Sequence, residues 1–281
     1  MAQARVLVIA GSDSGGGAGI QADIKTITAL GGYAATAITA LTAQNTEGVQ
    51  GIHPVPPEFV ASQMEAVLQD IGADVLKTGM LHDAAVIEVV SEQIRRYAAD
   101  IPLVVDPVMV SQSGSRLLRQ SALTALRERL LPQALLMTPN VPEAETFLDR
   151  RITTVSHMQA AARRLQREFG CSILLKGGHL PAPELVDVLV TPDGEQLFEG
   201  EWLTTKHNHG TGCTLASAIA VSVGQGLPLE VAVARARAYV RKALETAPGL
   251  GRGCGPVNHG HTVKDTLSDF LTPSPPSPND D

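Results

Sequence analysis

The chain has 281 residues, 44% of them hydrophobic and 18% charged, a globular composition long enough to bury a full core without disulfide or metal staples. A net charge of −7 argues against nucleic acid as a partner, because phosphate backbones demand clustered Lys and Arg. Three scattered cysteines with no C-x-x-C pair fit a reducing cytoplasm, and neither a signal pattern nor an apolar run of ~18 residues points to a membrane.

Strands and helices alternate along the chain. Arg5–Ala10 is an apolar run closed by Gly11 and predicts a buried strand. Ile20–Leu30 has helical apolar spacing and stops at Gly31-Gly32. Ala35–Ala43 predicts one strand, 57–71 a helix with Pro in its first turn, 74–78 a strand, 83–98 a helix and 103–106 a strand. Ser121–Leu130 predicts a helix and 134–138 a strand, followed by helices over 142–148 and 156–169 and a strand over 172–176. Leu185–Thr191 and Glu195–Glu199 flank Pro192-Asp193-Gly194 and predict a hairpin. Helices over 211–224 and 229–247 close the core. Repeated βα units imply an α/β fold with a mostly parallel central sheet and helices on both faces. The Pro- and Ser-rich end, Thr272–Asp281, predicts disorder or, less readily, a proline-motif ligand.

Ligands bind beyond the carboxyl ends of strands in such sheets, so four loops stand out. The first, Gly11-Ser-Asp-Ser-Gly-Gly-Gly-Ala-Gly19, lacks the Lys of a P-loop, and its glycines start too far past the strand for a dinucleotide fingerprint. It offers either a flexible turn or a bare backbone against which a flat substrate lies. Asp23 follows just inside the helix, as a helix-end charge or a substrate acceptor. The second loop holds Gln44, whose amide sets a donor beside an acceptor, the complement of an aminopyrimidine edge. The third pairs Asp106 with Glu143, either as water-mediated ligands of Mg²⁺ or as a turn cap and a first-turn helix acid. The fourth, Asn208-His-Gly-Thr-Gly-Cys-Thr214, lets the backbone amides of Gly210, Thr211 and Gly212 converge at a helix start, where anionic oxygens are stabilised. Cys213 at that positive end is expected to have a lowered pKa, unless it is a buried structural thiol. Lys176, a charge ending an apolar run, suits a phosphate contact or a side chain reaching for solvent.

Taken in order, Ala10–Gly19, Thr42–Asn45, Lys77–Met80, Val105–Met109, Thr138–Asn140 with Glu143, Leu175–His179, His209–Thr214 and Gly255–His259 resemble the hydroxymethylpyrimidine/phosphomethylpyrimidine kinases of thiamine biosynthesis, in the ribokinase-like superfamily. The resemblance implies a three-layer fold over residues 1–266 with a disordered tail over 267–281, a homodimer, and two successive ATP-dependent phosphorylations of a small pyrimidine substrate. It implies pyrimidine contacts from Gly11, Asp23, Gln44, Met80 and Val108, and ATP contacts from Lys176, Asn140 and His209. It gives Mg²⁺ to Asp106 and Glu143, and catalysis to Lys176, Gly210, Thr211, Gly212 and Cys213. Sugar kinases of that superfamily carry Asp where this chain has Cys213, which leaves the base open; we expect a Cys213 thiolate to take the substrate proton in the first phosphorylation. A pyridoxal or pyridoxine kinase of the same branch is the nearest alternative. A non-catalytic pyrimidine sensor is the alternative of another class, and the Lys, Asp and Cys set speaks against it.

Overall fold

Strand β1 (Arg5–Ala10) has no polar face. Leu7 and Ile9 pack into one apolar layer, while Val6, Val8 and Ala10 pack into another on the opposite side of the sheet. That two-sided burial is why β1 reads as a continuous apolar run rather than an alternating one. The computed structural model describes residues 3–109, 120–180 and 184–263. The elements that follow β1 are α1 (Gly19–Ala29), β2 (Tyr33–Ile38), β3 (Ala40–Asn45), β4 (Gly48–Pro54), α2 (Pro57–Asp70), β5 (Val75–Thr78), α3 (Ala84–Tyr97) and β6 (Leu103–Val105). Then come α4 (Gln120–Ala125), β7 (Leu136–Met137), α5 (Val141–Leu148), α6 (Val155–Phe169), β8 (Ser172–Leu175), β9 (Glu184–Thr191), β10 (Gly194–Glu201), α7 (Thr211–Gly224) and α8 (Leu229–Glu245).

Among the described residues the main sheet has eight strands in the order β10-β9-β8-β7-β6-β5-β1-β2. From β8 to β2 every neighbouring pair is parallel, and the hairpin β9–β10 adds an antiparallel edge. Helices α1, α7 and α8 cover one face; α2 to α6 cover the other. The three-layer α/β architecture expected from the sequence is therefore present.

Two elements differ from the sequence reading. The single strand expected over Ala35–Ala43 is divided at Thr39 between β2 and β3. Thr39 accepts its break because its N–H donates to Ala10 O at 3.1 Å and its hydroxyl to Met80 O at 2.6 Å. Beyond it the chain leaves the main sheet and pairs β3 with β4 as a separate antiparallel ribbon. The helix expected over Ser121–Leu130 keeps α-geometry only to Ala125 and widens into a π-turn over Leu126–Leu130, which buries Leu126 and Leu130. The expected tail and the boundary at residue 266 lie outside the described residues.

Candidate active site

The carboxyl ends of the parallel strands open into a cleft of about 740 Å³. Its floor is the crevice between β1 and β5. Helix α1 leaves β1 on one face of the sheet, whereas the chain that returns through α2 to β5 covers the other face, so the strand order reverses there. Gly11 N donates to Met80 O at 3.1 Å across this crevice, and a Cβ on Gly11 would stand only 3.1 Å from Met80 Sδ. A side chain there would have to push the Met80 thioether back by a few tenths of an ångström.

Gly11, Met80 and Val108 line one end of the cleft together with Thr42 and Gln44 of the ribbon. Thr42 and Gln44 share a face because strand side chains alternate. A register shift between Ala43 and Gln44 bends the ribbon there. Asp13 is the residue that sequence reasoning missed at this end. Its carboxylate accepts from the N–H groups of Gly15, Gly17 and Ala18 at 2.8–3.0 Å and so shapes the glycine loop. Burial alone would raise its pKa, but the His209 ring and those amides lower it below the ordinary Asp value. His209, expected on the nucleotide, is instead aimed at this end: its Nε2 lies 2.8 Å from Asp13 Oδ2 and 3.3 Å from Gln44 Nε2.

The other loops converge opposite. Gly210 starts α7 at φ +85°, and a Cβ there would strike the carbonyl of Gly17, so the turn 210–213 is seated directly on the glycine loop. The first N–H groups of a helix, here those of Gly212 and Cys213, have no intrahelical acceptor and face outward. A Cβ on Gly212 would lie 3.5 Å from Lys176 Nζ and 3.7 Å from Asp106 Oδ2, which places amides, ammonium and carboxylate around one small volume. Lys176 Nζ donates to Asp106 Oδ1 at 3.2 Å, and Thr138 Oγ1 donates to the same oxygen at 3.2 Å. Burial opposes the charge on Lys176, but Asp106 and Glu143 outweigh it and hold the pKa above the ordinary value.

Glu143 takes the first-turn helix role weighed for it. Its Oε2 accepts from Asn140 N at 2.8 Å while Asn140 Oδ1 accepts from Glu143 N at 2.9 Å, a capping box that starts α5. Both residues also line the cleft. Burial pushes the Glu143 carboxyl up to about 7, with Lys176 opposing and Asp106 adding to the rise.

Two expectations are corrected. Asp23 does not line the cleft; it is fully buried beneath it, bound through both oxygens to Lys77 Nζ at 2.9 and 3.0 Å and by Ser217 Oγ at 2.7 Å. Lys77, equally buried, was legible as a lone charge inside the strand Val-Leu-Lys-Thr but was given no role. Cys213 does not rest as a thiolate. Burial pushes its thiol up to about 12; Lys77 acts the other way, and the charges of Asp23 and Asp106 add to the rise. The helix-start argument predicted a lowered value, and desolvation overrides it.

The cleft continues past this point along β10 and α8, where Phe198, Trp202, Arg237 and Arg241 line it. Arg237 is held by Asp187 Oδ2 at 2.8 Å and stacks over Phe198 at 5.6 Å. The room matches a second, larger reactant. As for a cation, no group of three or more His, Cys, Asp and Glu capable of caging a metal occurs among the described residues. Asp106 and Glu143 present hard oxygens beside the phosphate-type donors, a set that fits an ion which fills its remaining positions with water and phosphate oxygens.

The family model described as phosphomethylpyrimidine kinase matches residues 13–258. The chain is 52% identical over 254 residues to the thiamine biosynthesis bifunctional protein ThiED of Geobacter sulfurreducens, covering 90% of this chain but only 52% of that longer protein. It is 44% identical to the hydroxymethylpyrimidine/phosphomethylpyrimidine kinase of Salmonella typhimurium, covering 93% and 99% of the two chains. The structure of the Staphylococcus aureus pyridoxal kinase in complex with ADP superposes with a TM-score of 0.85 at 32% identity over 92% of this chain and 94% of that one.

Proposed function

The chain belongs to the phosphomethylpyrimidine kinase family of ribokinase-like enzymes, and on that premise we propose that it transfers the terminal phosphoryl group of ATP to 4-amino-5-hydroxymethyl-2-methylpyrimidine and then to the resulting monophosphate, giving the diphosphate used in thiamine biosynthesis. The observation that carries this reading is the meeting of the Gln44 end and the turn 210–213 in one cleft, with Lys176 and Asp106 at the junction.

The pyrimidine lies on the glycine floor at Gly11, between Met80 and Val108, and Gln44 reads its amino edge. The nucleotide occupies the length between the junction and Trp202, with Asn140 at its phosphate end. Lys176 and the amides of Gly210–Cys213 hold the transferred group. Phosphoryl transfer asks the protein mainly for alignment and neutralised charge, and these groups supply both. Asp106 and Glu143 would hold Mg²⁺, which would supply positive charge against the phosphates. In the first step the hydroxymethyl oxygen forms a bond to phosphorus, the bond to the ADP oxygen breaks, and the acceptor proton passes to the sulfur of Cys213. Because that thiol rests protonated, Cys213 must first pass its own proton to solvent after the substrates bind and before it accepts the hydroxymethyl proton; Lys77 favours the release, and Asp23 and Asp106 oppose it. In the second step the acceptor is already an ionised phosphate and needs no base.

The likeness to a pyridoxal kinase favours a side activity on pyridoxal, whose hydroxymethyl group is also attached to a flat six-membered ring. The exposed Tyr33, Leu41 and Phe59, near the open edge strand β2 and the ribbon, support a homodimer formed through that flank. We place the enzyme in the cytoplasm; among the described residues no helix is long and apolar enough to cross a membrane. ADP release is measured with the hydroxymethylpyrimidine, its monophosphate, pyridoxal, ribose and buffer. Turnover with both pyrimidines is expected, and turnover with ribose alone would overturn the substrate assignment.

A further inference from the structure

The Gln44 carboxamide meets two neighbours whose hydrogen-bonding capacity is already fixed. Asp13 is a carboxylate and only accepts, and its Oδ2 lies 2.8 Å from His209 Nε2. His209 Nε2 must therefore carry a proton, whether the ring is neutral or charged. A protonated Nε2 cannot accept from an NH₂ group, and its one proton is already aimed at Asp13, so the Gln44 atom 3.3 Å away fits only as an oxygen that shares that proton. On the other side, the single proton of Thr42 Oγ1 goes to Ser12 O at 2.9 Å. The Gln44 atom 3.4 Å from that hydroxyl is then satisfied only as the NH₂. Both contacts ask for the same orientation of the amide, and oxygen and nitrogen of an amide are told apart by such networks.

We propose that the Asp13–His209 pair, together with Thr42, sets the Gln44 carboxamide with its oxygen toward His209 and its NH₂ toward Thr42, and that this fixed order of acceptor and donor selects an aminopyrimidine alcohol over a pyridine alcohol. The proposal rests on the reading that Gln44 contacts the substrate. An amide free to rotate offers either order to an incoming ring, and half of its orientations set two donors or two acceptors against each other. The locked amide offers one. A ring with an exocyclic amine beside a ring nitrogen fits it with two bonds, whereas a ring carrying a phenolic oxygen or a methyl group at that edge does not. Asp13 and His209 are positioning residues in this scheme.

The first measurement needs no variant: long-range ¹H–¹⁵N correlation of the full-length protein with labelled histidine. His209 is expected as the Nε2–H form or as imidazolium. An unprotonated Nε2 at neutral pH would refute the locking. The second compares wild type with His209→Leu and His209→Gln. His209→Leu is expected to raise the KM for the hydroxymethylpyrimidine about tenfold to a hundredfold, the worth of one misplaced bidentate pair, with the KM for ATP unchanged. His209→Gln, which keeps an N–H donor, recovers part of that loss. An unchanged pyrimidine KM in His209→Leu would sink the selection role. If Gln44→Ala also leaves that KM unchanged, the fault lies in assigning Gln44 to the substrate rather than in the locking, which the spectrum judges separately.

Discussion

Replacing Lys77 by Met removes the ammonium from a pair that has no access to water. Lys77 and Asp23 are both fully buried, with Nζ 2.9 and 3.0 Å from the two carboxylate oxygens. At that distance and an effective dielectric constant of about 20, the attraction is roughly 5–6 kcal/mol. Removing two ions from water costs several kcal/mol each, so the intact pair contributes little net stability. The single variant is different, because it leaves the Asp23 carboxylate with Ser217 Oγ as its remaining partner in this network. We expect Lys77→Met to lose about 3–5 kcal/mol in urea denaturation, a large share of the 5–15 kcal/mol typical of a folded chain. The loss has a definite pH dependence. Burial already raises the Asp23 pKa above its ordinary value despite Lys77, and removal of the ammonium raises it further. A carboxyl with a raised pKa in the folded state binds its proton more tightly there than when unfolded, so its penalty grows as pH rises above about 4. The deficit against wild type at the same pH is therefore smallest near pH 4 and levels off above the folded pKa. The double variant Lys77→Met with Asp23→Leu removes both charges and is expected to lose far less than the two single variants together. Additive losses, or a deficit indifferent to pH, would refute the reasoning.

Cys213→Ala is expected to slow the first phosphorylation about 10²–10⁴-fold in single turnover and the second less than about tenfold, since only the alcohol needs a base. Equal losses in both steps would remove Cys213 from proton transfer. Glu143→Gln keeps the oxygen that completes the capping box but cannot ionise. Wild-type Glu143, with a carboxyl pushed up to about 7, holds its proton in the folded state while the unfolded chain releases it, so wild-type stability falls between about pH 4.5 and 7. The variant, followed by urea denaturation, should gain relative to wild type across that window and stay level above pH 8. Gly253→Ala would drive a Cβ into the backbone carbonyl of Thr46, where Gly253 N donates to Thr46 Oγ1 at 3.2 Å and Cys254 N to Thr46 O at 2.8 Å. The tip of the ribbon must yield, and steady-state kinetics should show a higher KM for the pyrimidine with that for ATP unchanged.

Residues whose partners are near in sequence were legible in advance, and those whose partners are remote were not. The runs of β1, β5 and β8 and the stop at Gly31 report local burial and local backbone needs, and they predicted the parallel sheet and its helices. The glycines at 210 and 212 likewise announced a helix start. Strand β4 was invisible because Gly48-Val-Gln-Gly-Ile-His-Pro54 lies in a ribbon with no buried residue, so no apolar alternation marks it. Asp23 was misread because its partner, Lys77, stands 54 positions away, and a short acid in a first helical turn looks the same with or without it. The thiol of Cys213 went wrong in sign for a related reason. The favourable helix start is local and visible, whereas the burial and the carboxylates that outweigh it, Asp23 of α1 and Asp106 after β6, are brought together only by the fold.

The charges at the junction explain why these loops had to meet. Lys77 and Lys176 face Asp23, Asp106 and Glu143, two ammonium groups against three carboxyl groups. Asp23 consumes Lys77, so Lys176 is shared between Asp106 and Glu143, and it cannot neutralise both. Burial, with this surplus added to it, keeps the Glu143 carboxyl near 7 rather than in the ordinary range. A triphosphate brought into this site adds several negative charges next to that surplus, and the amides of Gly212 and Cys213 offer only partial charges against them. Protein groups alone thus leave the phosphates underneutralised at the point of transfer. Under the proposed function the balance favours a nucleotide that arrives with its own divalent cation, for which Asp106 and Glu143 would provide oxygens, leaving Lys176 for the phosphoryl group.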